Sequence, residues 1–106
     1  MKSKAADCTD ECAVKRTAAI LDGKWTTLVL RDLMSGKKRY FELEQSLEGI
    51  SPRLLTARLR FLEERGIVTR RVFPTNPPTT EYELTNLGLK LRGVIDAMAT
   101  FGSGLG

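Results

Sequence analysis

Arg53, Thr56 and Arg60 stand at spacings of three and four residues, and their side chains could do hydrogen-bond chemistry on a polyanion. An arginine fork can bond bidentately to the O6 and N7 edge of a guanine, and a threonine hydroxyl can meet a base edge or a phosphate. At about 100° per residue, a helix through this stretch gathers Arg53, Thr56, Ala57 and Arg60 on one side. Leu55, Leu59 and Leu62 fall on the other. Taken alone, the pattern fits a solvated helix surface as well as a helix laid into a DNA major groove.

The second reactive group is a thiol. Cys8 and Cys12 are the chain's 2 cysteines, four residues apart, and the chain has no histidine. Without histidine, the commonest general base, the Ser-His-Asp arrangement and most zinc sites are all missing. A cysteine nucleophile would lack a neighbouring base, so an enzyme is not expected, and no metal or cofactor is called for. Cysteines four apart on a helix are poorly aimed for a disulfide with each other. Cys12 near a helix start gains thiolate character from the helix dipole and from Lys15 and Arg16, while Asp10 and Glu11 oppose it. Sensing of oxidants or electrophiles and a merely buried thiol both remain open from these residues.

The elements that would position these groups can be read in order. The 106 residues suit one domain, with 42% hydrophobic and 28% charged residues and a net charge of +4. The charge is uneven: six arginines lie between Arg53 and Arg71, against Glu63 and Glu64. Such a local field favours a polyanion. No apolar run of about eighteen residues is present, and the first residues lack a signal peptide's apolar stretch, so a cytoplasmic protein without membrane attachment is expected.

Residues 1–9 read as a flexible arm, 10–101 as the folded domain and 102–106 as a flexible tail. Asp10 can cap a first helix with Val14, Thr17, Ala18 and Leu21 on one face. A second helix follows, with Trp25 as its main core anchor, and Gly36 ends it. Trp25 beside Lys24 could instead offer a stacking surface, but its helical spacing favours the core. Lys37-Lys38-Arg39 reads as a basic turn, either simply solvated or touching phosphate. Tyr40–Leu47 forms a third helix with Tyr40 or Phe41, Leu43 and Leu47 inward. A turn at Gly49 leads into the basic helix, which Ser51 caps and Pro52 begins. Two short helices joined this way form the helix-turn-helix pattern.

The period then falls to two. Residues 67–73 and 80–84 read as a β-hairpin whose tip holds three prolines. Arg70, Arg71 and Asn76 could reach a phosphate backbone or minor groove from it, or simply be solvated. Thr85 or Asn86 caps a last helix with Leu87, Leu91, Val94, Ile95, Met98 and Phe101 along a wide apolar stripe. With Val14, Ala18 and Leu21 of the first helix, Leu91, Val94, Ile95, Met98 and Phe101 are the expected homodimer interface. The fold class expected is α+β, mainly α: a winged helix-turn-helix with a two-stranded wing and terminal dimerisation helices.

Particular strings go further. Cys12-Ala13-Val14, Gly23-Lys24-Trp25, Leu30-Arg31-Asp32-Leu33, Arg39-Tyr40-Phe41-Glu42-Leu43, Gly49-Ile50-Ser51-Pro52-Arg53, Leu59-Arg60-Phe61-Leu62-Glu63-Glu64-Arg65-Gly66 and Tyr82-Glu83-Leu84-Thr85-Asn86-Leu87-Gly88 stand in order. Together they resemble the HxlR-type transcriptional regulators, relatives of the MarR group, over about residues 12 to 101. The resemblance implies a homodimeric repressor that binds an inverted-repeat operator in double-stranded DNA with one recognition helix and one wing per subunit. It also implies redox sensing at Cys12, with a small oxidant or electrophile such as a quinone or aldehyde as inducer. Two departures stand out: Ala13 occupies the place usually held by proline after that cysteine, and Cys8 lies outside the matched pattern.

The DNA-binding residues expected are thus Arg39, Ser51, Pro52, Arg53, Thr56, Ala57, Arg60, Arg70, Arg71 and Asn76. Of these, Arg53, Thr56 and Arg60 are the base readers, and Ser51, Arg70 and Arg71 bind phosphate. The alternatives are a MarR-like regulator answering to a small ligand without cysteine sensing, and a winged-helix interaction module that does not bind DNA. The second would show no salt-dependent DNA affinity.

Overall fold

Leu55, Leu59 and Leu62 recur at helical spacing and are 0, 1 and 0% exposed, so one apolar seam holds the middle of the chain. In the computed structural model, which describes residues 12–106, the elements follow as α1 (Ala13–Ile20), α2 (Lys24–Leu33), β1 (Lys38–Arg39), α3 (Tyr40–Ser46) and α4 (Pro52–Glu64). They continue as β2 (Val68–Phe73), β3 (Thr79–Leu84), α5 (Asn86–Leu89) and α6 (Arg92–Ser103). Val29, Leu30 and Leu33 of α2, Leu43 and Leu47 around α3, and Val68, Tyr82 and Leu84 of the hairpin close over the α4 seam. The mainly helical α+β fold is a winged helix-turn-helix, as the patterning indicates.

Several local expectations are corrected. The wing sheet has three strands in the order β1-β3-β2, because Lys38 and Arg39 pair with Tyr82 and Glu81 instead of forming a turn. Arg39 is still extended at φ −79° and ψ 155°, so the segment entering α3 can satisfy the open edge of β3. Trp25 is only half-buried. Thr26 is 0% exposed in its place, while the indole lies beside Gly49 with the Lys24 Nζ 4.5 Å from its ring centre. Trp25 packs against the edge of the core, and the buried Val29, Leu30 and Leu33 are the main anchors of α2. Of the two aromatic choices in α3, Tyr40 packs against the core and Phe41 is 55% exposed.

The last helix is two helices. Thr85 caps α5, accepting from the Gly88 N–H at 3.0 Å and donating to the Gly66 carbonyl at 2.6 Å, which fastens the helix to the base of the wing. Three-residue bonds from Lys90 N–H to Leu87 and from Leu91 N–H to Gly88 then tighten the chain and re-aim α6. Leu91 and Ile95 consequently turn into the chain's own core, at 9 and 7% exposed, and leave the expected intersubunit face. The helix runs on through Ser103, and the Arg92 guanidinium donates to the Met34 carbonyl at 2.9 Å at the end of α2. At the other end, Cys12 is the N-cap of α1, and the Asp10 cap, Cys8 and the 1–9 arm lie outside the described residues.

Gly88 is buried with its Cα against the Ile67 carbonyl, where an added methyl would collide with backbone oxygen and meet Leu84 Cδ2 at 3.0 Å. A carbonyl held by the Thr85 N–H at 2.9 Å cannot yield cheaply. Gly88→Ala is therefore expected to destabilise the fold by about 1–3 kcal/mol, checked by urea unfolding of parent and variant.

Candidate nucleic-acid interface

Gly49 adopts φ +96°, a conformation that side chains disfavour, and this lets the chain turn sharply from α3 into α4. Ile50, 8% exposed, pins the turn to the core. Ser51 Oγ then accepts from the Leu54 N–H at 3.1 Å, and Pro52 occupies the first turn, where no N–H is needed. With the three leucines inward, Ser51, Pro52, Arg53, Thr56, Ala57 and Arg60 are all exposed. Arg53, Thr56 and Arg60, the three residues expected to read bases, thus share one open face of α4 with Ala57.

That face is braced from behind by α3. The Tyr40 hydroxyl lies 3.2 Å from the Pro52 carbonyl oxygen and 3.3 Å from Thr56 Oγ1. The spacing of α3 offers Tyr40 or Phe41 as an inward ring and by itself gives the Tyr40 hydroxyl no partner. That hydroxyl was the available signal, since a tyrosine at a helix start usually finds a polar partner when its ring is half-buried. The Glu42 carboxylate accepts from the Arg39 N–H at 2.8 Å and fixes the start of the same helix.

The arginine-rich stretch sorts into three groups. Arg58 and Arg65 both lie over Phe61, their guanidinium carbons 6.0 and 4.9 Å from its ring centre, so they clothe the flank of α4. Arg70 Nε meets Glu63 Oε1 at 3.4 Å, in a small cleft between α4 and the wing lined by Thr56, Arg60, Glu63, Arg70 and Tyr82. Burial pushes the Tyr82 hydroxyl pKa up, and the neighbouring Arg70 charge works against that. The third group, Arg53, Arg60 and Arg71, is exposed, and none of the three forms an ion pair with a carboxylate among the described residues.

Arg70 and Arg71 therefore differ. Alternation puts Arg70 on the sheet face of Val68 and Tyr82, while Arg71 shares the opposite face with Phe73. Arg71 and Arg39 approach that ring to 5.2 and 6.0 Å, and both pair in register with Glu81. Asn76 is exposed at the wing tip, within the loop that joins β2 to β3. Replacing Glu63 with glutamine is expected to free Arg70 for phosphate. Affinity for a random-sequence duplex should rise by up to about fivefold, and the log–log salt slope should steepen by about one, both read by fluorescence anisotropy.

Away from α4, Cys12 is half-buried at the head of α1. The next residues, Ala13 and Val14, line an apolar groove with Thr17, Ala18, Leu21, Val94 and Met98. Ala13, Arg16, Thr17, Ala19 and Ile20 share a second cleft with Arg65 at the end of α4. A third apolar groove runs along α6 over Gly93, Val94, Ala97, Met98 and Phe101. Val14, Met98 and Phe101 are 73, 45 and 70% exposed, so these grooves form an uncovered greasy face. Among the described residues no helix is long and apolar enough to cross a membrane.

A sharp glycine turn, a capped helix with a basic outer face and a wing braced on that helix define a winged helix-turn-helix protein that binds DNA. The chain belongs to the HxlR-like helix-turn-helix family, whose model matches residues 20–105. It is 44% identical over 92 residues to an HTH-type transcriptional regulator of Synechocystis, covering 87% of this chain and 68% of that one. A MarR-family regulator from Porphyromonas gingivalis W83 superimposes with a TM-score of 0.88 at 37% identity, covering 92% of this chain and 96% of that chain. The redox regulator HypR in its oxidized form gives a TM-score of 0.81 at 37% identity, over 87 and 95% of the two chains. The chain is thus a transcriptional regulator, from a family of regulators and not of enzymes.

Proposed function

We propose that this regulator is a homodimeric repressor that reads an inverted-repeat operator through α4 of each subunit. It releases that operator when an oxidant or electrophile, such as a quinone or aldehyde, modifies Cys12. The observation that carries the reading is the open face of Arg53, Thr56, Ala57 and Arg60 on a helix whose Leu55, Leu59 and Leu62 are committed to the core. Two such helices related by a two-fold axis fit successive major grooves about 34–36 Å apart. Arg39, Arg71 and Asn76 then lie with the wing, against flanking phosphate or minor groove.

Dimerisation is supported by α1, which spans 8 residues and buries none of them within the described chain. A helix that short is unstable alone in water, so it needs a surface to pack on. Val14, Ala18, Leu21, Val94, Met98 and Phe101 offer one to a second copy. Regulation at Cys12 is supported by its place: α1 touches both the apolar face and the Arg65 end of α4, so a change at its head reaches the reading helix. The likeness to HypR, solved in oxidized and reduced forms, points the same way.

The test is a mobility-shift assay on a duplex selected by the parent protein, with reduced and diamide-treated samples. Treatment should weaken the parent by at least about tenfold, a coupling of roughly 1.4 kcal/mol, and leave Cys12→Ser unaffected. An equal response in both proteins would remove Cys12 from the switch.

A further inference from the structure

Building on the reading of α4 as the recognition helix, we infer that Tyr40, which lies behind that helix, decides which bases Thr56 accepts. The Tyr40 hydroxyl has one proton and two oxygen neighbours, the Pro52 carbonyl at 3.2 Å and Thr56 Oγ1 at 3.3 Å. A carbonyl oxygen can only accept, so both contacts are hydrogen bonds at once only when the tyrosine proton goes to Pro52. The tyrosine oxygen is left as the acceptor, and the threonine proton turns inward to it. Thr56 is exposed on the same side as Arg53, Ala57 and Arg60, and it therefore presents lone pairs, not a donor, to whatever lies in the groove.

An outward acceptor discriminates among bases. In the major groove the donors are the exocyclic amines, N6 of adenine and N4 of cytosine, whereas guanine O6 and thymine O4 are acceptors that would face those lone pairs. At the step facing Thr56, the contacted strand should carry adenine or cytosine. Guanine or thymine is disfavoured there by about three- to tenfold, the worth of one hydrogen bond. Tyr40 touches no base. It is a positioning residue that converts an ambivalent hydroxyl into a one-way reader.

Removing the tyrosine oxygen frees the threonine proton. Tyr40→Phe keeps the half-buried ring and should leave the fold intact, while Thr56 becomes able to donate outward. In vitro selection from a randomised duplex pool, run with parent, Tyr40→Phe, Thr56→Ser and Thr56→Val, reads this directly. The expected result is an adenine or cytosine preference at one step of each half-site in the parent and in Thr56→Ser. That preference should fall to near parity at that step alone in Tyr40→Phe and Thr56→Val. Selection of an unchanged sequence by Tyr40→Phe, or loss of preference at a different step in Thr56→Val, would overturn the role of Tyr40 while leaving α4 as the reader. If the parent enriches no sequence at all, the recognition-helix reading itself falls.

Discussion

Replacing Met98 and Phe101 together with aspartate is expected to give a folded monomer whose affinity for a two-half-site duplex falls by about 10²–10⁴-fold. Both side chains are largely exposed in the single chain, at 45 and 70%, so neither is needed to close its core. Both lie on the α6 groove with Gly93, Val94 and Ala97, and Met98 also lines the groove shared with α1. A carboxylate is tolerated on an open surface, but in an apolar interface it would be desolvated without a partner. The proposed dimer would dissociate, and each reading helix would then bind as an independent module, losing the high local concentration that tethering provides. Sedimentation shows the mass, and titration of duplexes with one and two half-sites shows the avidity. The variant should bind both duplexes alike. The same substitution at Leu91 or Ile95 should instead unfold the chain, because those residues are 9 and 7% exposed within its own core.

The double variant Arg53→Ala, Arg60→Ala is expected to lose about 2–6 kcal/mol of affinity for the preferred duplex, about 1–3 from each arginine. They lie seven positions apart on the helix, roughly 10 Å along the axis, so their effects should add. Neither supports the fold: Leu55 and Leu59 hold α4 from the opposite side, and both arginines are exposed. The preference for one sequence over a scrambled one should collapse, while salt dependence persists through Arg71, Arg39 and the wing. Titrating both duplexes with parent and variant, at two salt concentrations, separates the two effects.

The face carrying Arg53, Thr56, Ala57 and Arg60 was legible because a 3.6-residue period, a serine cap and a following proline all agree, and local signals of that kind survive folding. The wing was legible as a hairpin for the same reason, through alternation and prolines. The third strand was not: Lys38 and Arg39 are only two residues, and their partners Tyr82 and Glu81 lie more than forty positions away. Arg70 and Arg71 look equivalent in sequence, yet the pleat sends them to opposite faces and gives one of them Glu63. Leu91 and Ile95 belonged to an apolar stripe too wide for one surface, and only the tightened turn at Lys90 decides which part faces inward. Trp25 reaches only the edge of the core while Thr26 beside it is buried, because the rotation of α2 against its neighbours, and not the size of a side chain, decides which residues face inward. The Tyr40–Thr56 contact depends on how two helices cross, which no spacing within either one encodes.

The most direct measurement is dimethyl sulfate footprinting of the parent on its selected duplex, since the reagent reports guanine N7 in the major groove and adenine N3 in the minor groove. The expected result is two clusters of protected guanine N7, about 10–10.5 base pairs apart, that vanish in the Arg53→Ala, Arg60→Ala variant. Protection confined to adenine N3, or guanine protection unchanged in the variant, would contradict the assignment of α4 as the helix that reads DNA.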